Sequence, residues 1–338
     1  MSRGTVLVTG ITGFIATHTA LAFLDAGYSV KGTTRTAAKA EDWISRFPTH
    51  RARFQYAVVA DMATCNAFDE AVKGCDFIAH LASPAHWNQN DNETDLLIPA
   101  INGTKNLLSA TKNEPRIKRV VFTSSLAAII EPTVEAAKTV VETEWNPITY
   151  EQAKFATNAA VVYRASKALA ERTFWDYIEN EKPAWTGSTI CPCGTFAPPL
   201  QPLASLSALN VSTAFLWDMA NGKYKSGVPT VGSPVYVDAR DVALAHVRAV
   251  ERDAAKGQRY LLIGGVYVPD QFIDVIHRRF PELRGNLPPV DLLKVGQLGF
   301  KYNSSKATEE LGIQYTALET MVADTISSIL ALRKQLTA

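Results

Sequence analysis

Tyr163 and Lys167 stand four residues apart in the run Tyr163-Arg164-Ala165-Ser166-Lys167. On a helix that spacing puts both side chains on one face. A phenol can exchange a proton with a carbonyl or alcohol oxygen, and a neighbouring ammonium favours its phenolate. An isolated tyrosine titrates at about 10. Positive charge from Lys167 and from any cationic cofactor must therefore do part of the activation. Thr123-Ser124-Ser125 closes an apolar, β-branched stretch, and Thr123 is read as a cofactor contact. A hydroxyl at the carboxyl end of a parallel strand faces the crevice where ligands bind, so Ser125 is placed to donate to the same oxygen. Tyr150 and Lys154 repeat the tyrosine–lysine spacing. They stand in a polar segment ahead of the long helical pattern, which makes Tyr163 the better candidate.

A second set of residues has the chemistry of nucleotide binding. Gly10-Ile11-Thr12-Gly13-Phe14-Ile15-Ala16 lies between a short apolar run and a helical pattern, the context that gives a glycine pattern meaning. Gly10 permits a tight turn, Gly13 permits close approach to a pyrophosphate, and Ala16 permits close helix packing. The helix N-terminus supplies unpaired N–H groups for the anion. After the second strand the chain carries Arg35 and Lys39, with no carboxylate between Asp25 and Glu41. These cations suit a ribose 2′-phosphate, so the expected cofactor is NADP(H). Asp61 and Met62 are placed for the adenine, by accepting its amino group and covering its ring. Leu81, Ala82 and Ser83 follow the fourth strand, where small residues let the cofactor pass.

The elements that position these residues follow from periodicity. Short apolar runs predict strands at 5–9, 28–34, 54–59, 76–81, 117–124 and 186–190. Helical patterns between them cover 14–26, 65–73, 96–112 and 164–180, with Tyr163 opening the last. This alternation predicts an α/β fold with a doubly wound parallel (Rossmann) sheet. After residue 190 the rhythm breaks. Helices are expected at 211–221, 239–252, 270–279, 305–311 and 317–334, and strands near 235–237 and 259–263. Residues 1–190 are read as the dinucleotide-binding domain, with 234–264 returning to it. Residues 191–233 and 265–338 are read as a smaller substrate-binding region.

Composition excludes other classes. Of 338 residues, 47% are apolar and 20% charged, with a net charge of +1. Nucleic-acid binding and anionic membrane surfaces call for a concentrated positive footprint, so neither partner is expected. Cys65, Cys75, Cys191 and Cys193 are not accompanied by histidines at metal-ligand spacing, so no metal is expected. No secretory leader or membrane-length apolar run stands out, and a cytoplasmic setting is the default.

TGITGFIA (9–16), GTTR (32–35), DM (61–62), HLASP (80–84), NGT (102–104), FTSS (122–125), YRASK (163–167) and VDARDVA (237–243) together carry a family resemblance. The sequence resembles the extended or atypical short-chain dehydrogenases related to plant dihydroflavonol reductase. Within them it looks most like the fungal and yeast NADPH-dependent aldehyde and ketone reductases. The resemblance implies catalytic roles for Ser125, Tyr163 and Lys167, and places Arg35 and Lys39 at the 2′-phosphate. It implies that Pro192 and Thr195 lie in the strand-end segment that contacts nicotinamide. Here the chain departs from the family's Asn-Pro and Gly-Pro, with Cys191-Pro192 and Ala197-Pro198 in their place.

The expected reaction is reversible, NADPH-dependent reduction of aldehydes or ketones to alcohols. A nucleotide-sugar or sterol-type epimerase or dehydrogenase on the same scaffold stays open, as does a non-catalytic NADP-binding redox sensor. The expected pocket wall includes Ser83, Trp87, Phe196, Phe215 and Trp217, beside Ser125 and Tyr163. Its aromatic character favours bulky or aromatic neutral ketones or keto esters. Monomer and homodimer stay equally open.

Overall fold

The computed structural model describes residues 2–84, 90–130, 138–229, 231, 233–289 and 300–337. Its first half alternates strand and helix: β1 (Thr5–Val8), α1 (Phe14–Asp25), β2 (Ser29–Thr34), α2 (Ala37–Ser45), β3 (Phe54–Val58), α3 (Asp69–Val72) and β4 (Phe77–His80). Then come α4 (Ile98–Ala110), β5 (Arg119–Thr123), β6 (Thr139–Val140), α5 (Tyr150–Lys154), α6 (Ala159–Glu181) and β7 (Thr186–Pro192). The remainder holds β8 (Gly194–Phe196), α7 (Val211–Ala220), β9 (Val235–Asp238), α8 (Ala239–Glu251), β10 (Gln258–Leu262) and β11 (Gly265–Val266). It ends with α9 (Pro269–Arg279), β12 (Lys301–Tyr302), α10 (Ser305–Leu311) and α11 (Leu318–Thr337).

The main sheet is parallel, in the order β10-β7-β5-β4-β1-β2-β3. This is the Rossmann arrangement expected from the alternation. Its central strands β1, β4 and β5 are largely apolar and buried because both faces are covered. One face packs on residues of α1, α2, α8 and α10, including Phe23, Trp43, Val242 and Leu311. The other packs on residues of α3, α4 and α6, including Leu107 and Phe174. Strand order reverses between β1 and β4, and at such a switch point the strand ends open a crevice. At Gly32 in β2, an added Cβ would lie 2.5 Å from Ile11 Cδ1, so glycine lets the first turn fold back over the sheet.

Residues outside this sheet build a second core. Phe196, Leu216, Trp217, Phe272, Ile276 and Met321 pack together there. A small sheet, β11-β9-β8, borders it. Strand β10 returns to the main sheet, pairing with Ser188–Pro192. Polar links tie the regions, two of them at α1 and α8. His18 on α1 lies 3.0 Å from the Pro198 carbonyl. Asp238 caps α8 and grips Arg240, which reaches Asp324 on α11 at 2.6 Å. Among the described residues no helix is long and apolar enough to cross a membrane.

Three boundaries differ from expectation. Helix α6 starts at Ala159, so Tyr163 lies in its second turn; Asn158 is the cap, accepting from the Ala160 N–H at 2.9 Å. The helix expected over 65–73 contracts to Asp69–Val72, preceded by turns. Strand β7 runs on to Pro192, where proline's missing donor is tolerated at the strand's last residue.

Candidate active site

The glycine-rich turn shapes the first half of the site. Gly10 has φ +67°, and a Cβ there would lie 3.2 Å from Ala82 Cα. The turn is pinned by Gly10 N–H to Thr33 Oγ1 at 2.9 Å and Gly13 N–H to Gly10 O at 2.8 Å. Gly13 is the N-cap of α1 and supplies no side-chain acceptor. The first-turn N–H groups, beside half-buried Thr12, Phe14 and Ile15, are thus left for an anionic ligand.

Thr9 was not singled out by type or spacing, yet it sets the facing loop. Its Oγ1 accepts from the Leu81 and Ala82 N–H groups, each at 2.9 Å. Its own proton is then directed to His80 Nδ1, 2.8 Å away. Burial pushes His80 down to about 3, so the ring is neutral. This lock holds Leu81, Ala82 and half-buried Ser83 opposite Gly10.

Arg35 and Lys39 flank Thr36, the cap of α2. Both are exposed, and among the described residues neither forms an ion pair. Asp61 accepts from Ala63 N–H at 2.9 Å and Thr64 Oγ1 at 3.2 Å, which closes its own turn. Met62 lies on Gly103, where a Cβ would fall 2.0 Å from its Cε. Asn106 donates to the Met62 and Thr64 carbonyls at 3.0 and 2.8 Å. The NGT motif therefore includes the glycine that seats this methionine.

Ser125, Tyr163 and Lys167 come together at the carboxyl end of β5. Ser125 Oγ accepts from Ala127 N–H at 3.1 Å and is hydrogen-bonded to the Tyr163 hydroxyl. Lys167 Nζ stands 5.9 Å from the Tyr163 ring centroid. Burial raises Tyr163, and the Ser125 hydrogen bond opposes that shift. Burial pushes Lys167 down to about 8. Tyr150 is engaged elsewhere, donating to Glu93 at 2.7 Å, while Lys154 pairs with the same carboxylate at 2.9 Å.

Other expected site residues have partners within the protein. The Thr123 hydroxyl donates to His246 Nε2 at 2.7 Å, because His246 Nδ1 donates to Val242 O and leaves Nε2 accepting. Phe196 and Trp217 are only 2% and 5% exposed within the second core. Phe196 packs edge-on against Tyr267 and Phe272. Phe196 and Trp217 belong to the same buried cluster as Leu216, Phe272 and Met321. Half-buried Phe215 packs on Tyr224 at 5.9 Å. Trp87 lies outside the described residues. Pro192 is buried at the end of β7, and Thr195 Oγ1 donates to Cys193 O at 2.9 Å. Burial raises Cys191 and Cys193, keeping both as thiols.

A parallel sheet with a glycine-capped first helix, and a tyrosine, lysine and serine at its carboxyl edge, defines a dinucleotide-dependent oxidoreductase scaffold. The chain belongs to the NAD dependent epimerase/dehydratase family, whose model matches residues 6–264. It is 40% identical to the ketoreductase azaE of Aspergillus niger, over 96% of this chain and 97% of that protein. The structure is similar to yeast methylglyoxal/isovaleraldehyde reductase Gre2 complexed with NADPH, with TM-score 0.89 and 30% identity. That match covers 98% of this chain and 99% of the other. Gre2 from Candida albicans in complex with NADPH matches with TM-score 0.90 and 35% identity, covering 97% and 99%.

Proposed function

We propose that this protein reduces aldehydes and ketones to alcohols with NADPH as cofactor. The observation that carries the reading is the hydrogen bond between Ser125 and Tyr163, with Lys167 buried beside them. The nucleotide end fits NADPH: a side-chain-free helix cap for the pyrophosphate and two cations, Arg35 and Lys39, for the 2′-phosphate. Thr12, Gly13, Phe14 and Ile15 border the pyrophosphate position, Asp61 and Met62 the adenine, and Leu81 to Ser83 the middle. Pro192 and Thr195 border the nicotinamide end. When bound, NADPH supplies the hydride.

The chain's own residues manage the carbonyl oxygen. Ser125 donates to that oxygen and orients it. Tyr163 gives it a proton as charge develops. Lys167, as ammonium, stabilises the resulting phenolate and holds a ribose hydroxyl. Much of the rate comes from holding the reactants in place.

We assign residues 1–190 and 234–264 to the cofactor, and 191–233 and 265–338 to the substrate. We assign Ser83, Ser125, Tyr163, Phe196, Phe215 and Trp217 to the substrate side, whose aromatic share favours neutral, bulky carbonyls over small keto acids, because an unpaired buried carboxylate is heavily penalised. The free thiols of Cys65, Cys75, Cys191 and Cys193 support a reducing, cytoplasmic setting.

The test is turnover of an aryl ketone, its keto ester relative and pyruvate with NADPH and with NADH. We expect NADPH oxidation, faster with the neutral substrates. No oxidation with any carbonyl, combined with nicotinamide that stays bound through purification, would instead indicate an epimerase.

A further inference from the structure

Glu171 lies on α6, one turn beyond Lys167 and two beyond Tyr163, and is fully buried. A buried carboxylate is costly unless it is paired and fully hydrogen-bonded. Arg259 on β10 meets it as a fork, Nε to Oε1 at 2.7 Å and Nη2 to Oε2 at 3.1 Å. Oε2 also accepts from Ser124 Oγ at 2.5 Å, and Oε1 from Thr189 Oγ1 at 2.8 Å and Trp175 Nε1 at 3.3 Å. Arg259 spends Nη1 on the carbonyls of Glu142 and Glu144, the latter at 2.8 Å. Its guanidinium lies 3.7 Å from the Trp145 ring centroid, and Arg172 lies over the same ring at 4.6 Å.

The contacts extend beyond the pair toward Ser125. Ser124 is its chain neighbour. Asn146 follows Trp145 and donates through Nδ2 to Ala127 O at 3.0 Å and Ile130 O at 3.1 Å, while its N–H donates to Ala128 O at 2.9 Å. Ser125 caps that same turn. Two tethers, one through Ser124 and one through segment 142–146, thus converge on the backbone that carries the Ser125 hydroxyl.

We propose that Glu171 and Arg259 are positioning residues that set Ser125 against Tyr163. Stability alone is a weak reason for the pair, because well-packed apolar residues commonly replace buried ion pairs without loss. What apolar residues cannot reproduce is the directed tie from α6 to Ser124, and from β10 to the carbonyls of 142–146. The inference rests on the proposed roles of Ser125 and Tyr163.

The test compares Glu171→Gln, Arg259→Lys and the double variant Glu171→Met with Arg259→Met. The double variant removes both charges and leaves neither unpaired. The readouts are melting temperature, NADPH affinity by fluorescence titration, and kcat and KM for a ketone. Folded variants are expected to bind NADPH within about twofold of the parent and to lose about 10- to 100-fold in kcat, the scale of a small misplacement of a reacting group. Arg259→Lys, which keeps the charge, should recover part of that loss. Combined with Ser125→Ala, the pair variants should cost little further, since groups acting through one another are not additive. The proposal is overturned by folded variants with parental kcat, by a kcat loss matched by lost NADPH affinity, by full additivity with Ser125→Ala, or by failure of every variant to fold. Parental activity in Tyr163→Phe would instead overturn the underlying reading of the site.

Discussion

Tyr150 donates its hydroxyl to Glu93 across 2.7 Å, and Lys154 closes on the other oxygen of that carboxylate at 2.9 Å. One Tyr-x-x-x-Lys pair is thereby tied into a surface ion-pair cluster, while the other faces Ser125. The expected consequence is functional asymmetry. Tyr163→Phe keeps the ring and removes the proton donor, so it should bind NADPH normally and lose at least about 100-fold in kcat, the lower scale of general acid catalysis. Tyr150→Phe should stay within about threefold of the parent, since it loses only a partly exposed hydrogen bond. Steady-state kinetics with one ketone separate the two, and the reverse pattern would reassign the catalytic helix.

Cofactor choice should follow charge at the start of α2. Arg35 and Lys39 are exposed cations without ion-pair partners among the described residues. Arg35→Ala should weaken NADPH use by about 1.5–3 kcal/mol, the scale of a charge-assisted contact, and leave NADH use nearly unchanged. The measurement is kcat/KM for each cofactor; equal losses would remove Arg35 from the 2′-phosphate.

The pH profile should report Lys167. Burial lowers it to about 8, so its ammonium is present below that pH and lost above it. kcat/KM for NADPH, which reflects the free enzyme, should therefore fall as pH rises through about 8. In Lys167→Met, activity should be low throughout and this limb should be absent. Persistence of the limb at full amplitude would assign it to another group.

Stability should weaken on the acid side. His246 is fully buried and held at about 4, below its unfolded value of about 6.5. Between those values the unfolded chain binds the extra proton, so stability rises with pH. This group contributes about 3 kcal/mol above pH 6.5, lost as pH falls toward 4. Melting temperature against pH checks this: His246→Gln, which cannot take up that proton, should show a shallower decline over the interval.

Much of this arrangement was legible because local patterns were strong. The run Thr5–Val8, the turn at Gly10–Gly13 and the helix after it are contiguous, and each reports its own conformation. The start of α6 was less legible, since Ala159 to Val162 follow a polar stretch and Asn158 signals the cap through one side chain. The pairing of Glu171 with Arg259 could not be read from spacing, because 88 residues separate them and only the β7–β10 pairing brings them together. Phe196 and Trp217 were legible as apolar bulk. Their packing against residues of α9 and α11 is a tertiary contact that no local pattern reports.

The return of β10 to lie beside β7 has a consequence for how the chain can be divided or made. The nucleotide-binding sheet cannot be completed when the ribosome has delivered only its first 192 residues, because its outer strand emerges more than sixty residues later. Until then Ser188 to Pro192 form an open edge, the kind of surface that recruits strands from other chains. Glu171 also waits inside α6 without its cation. A genetic cut after β7 would therefore yield an aggregation-prone fragment rather than an autonomous cofactor-binding module, and recombination with relatives should exchange β7 and β10 as one linked block.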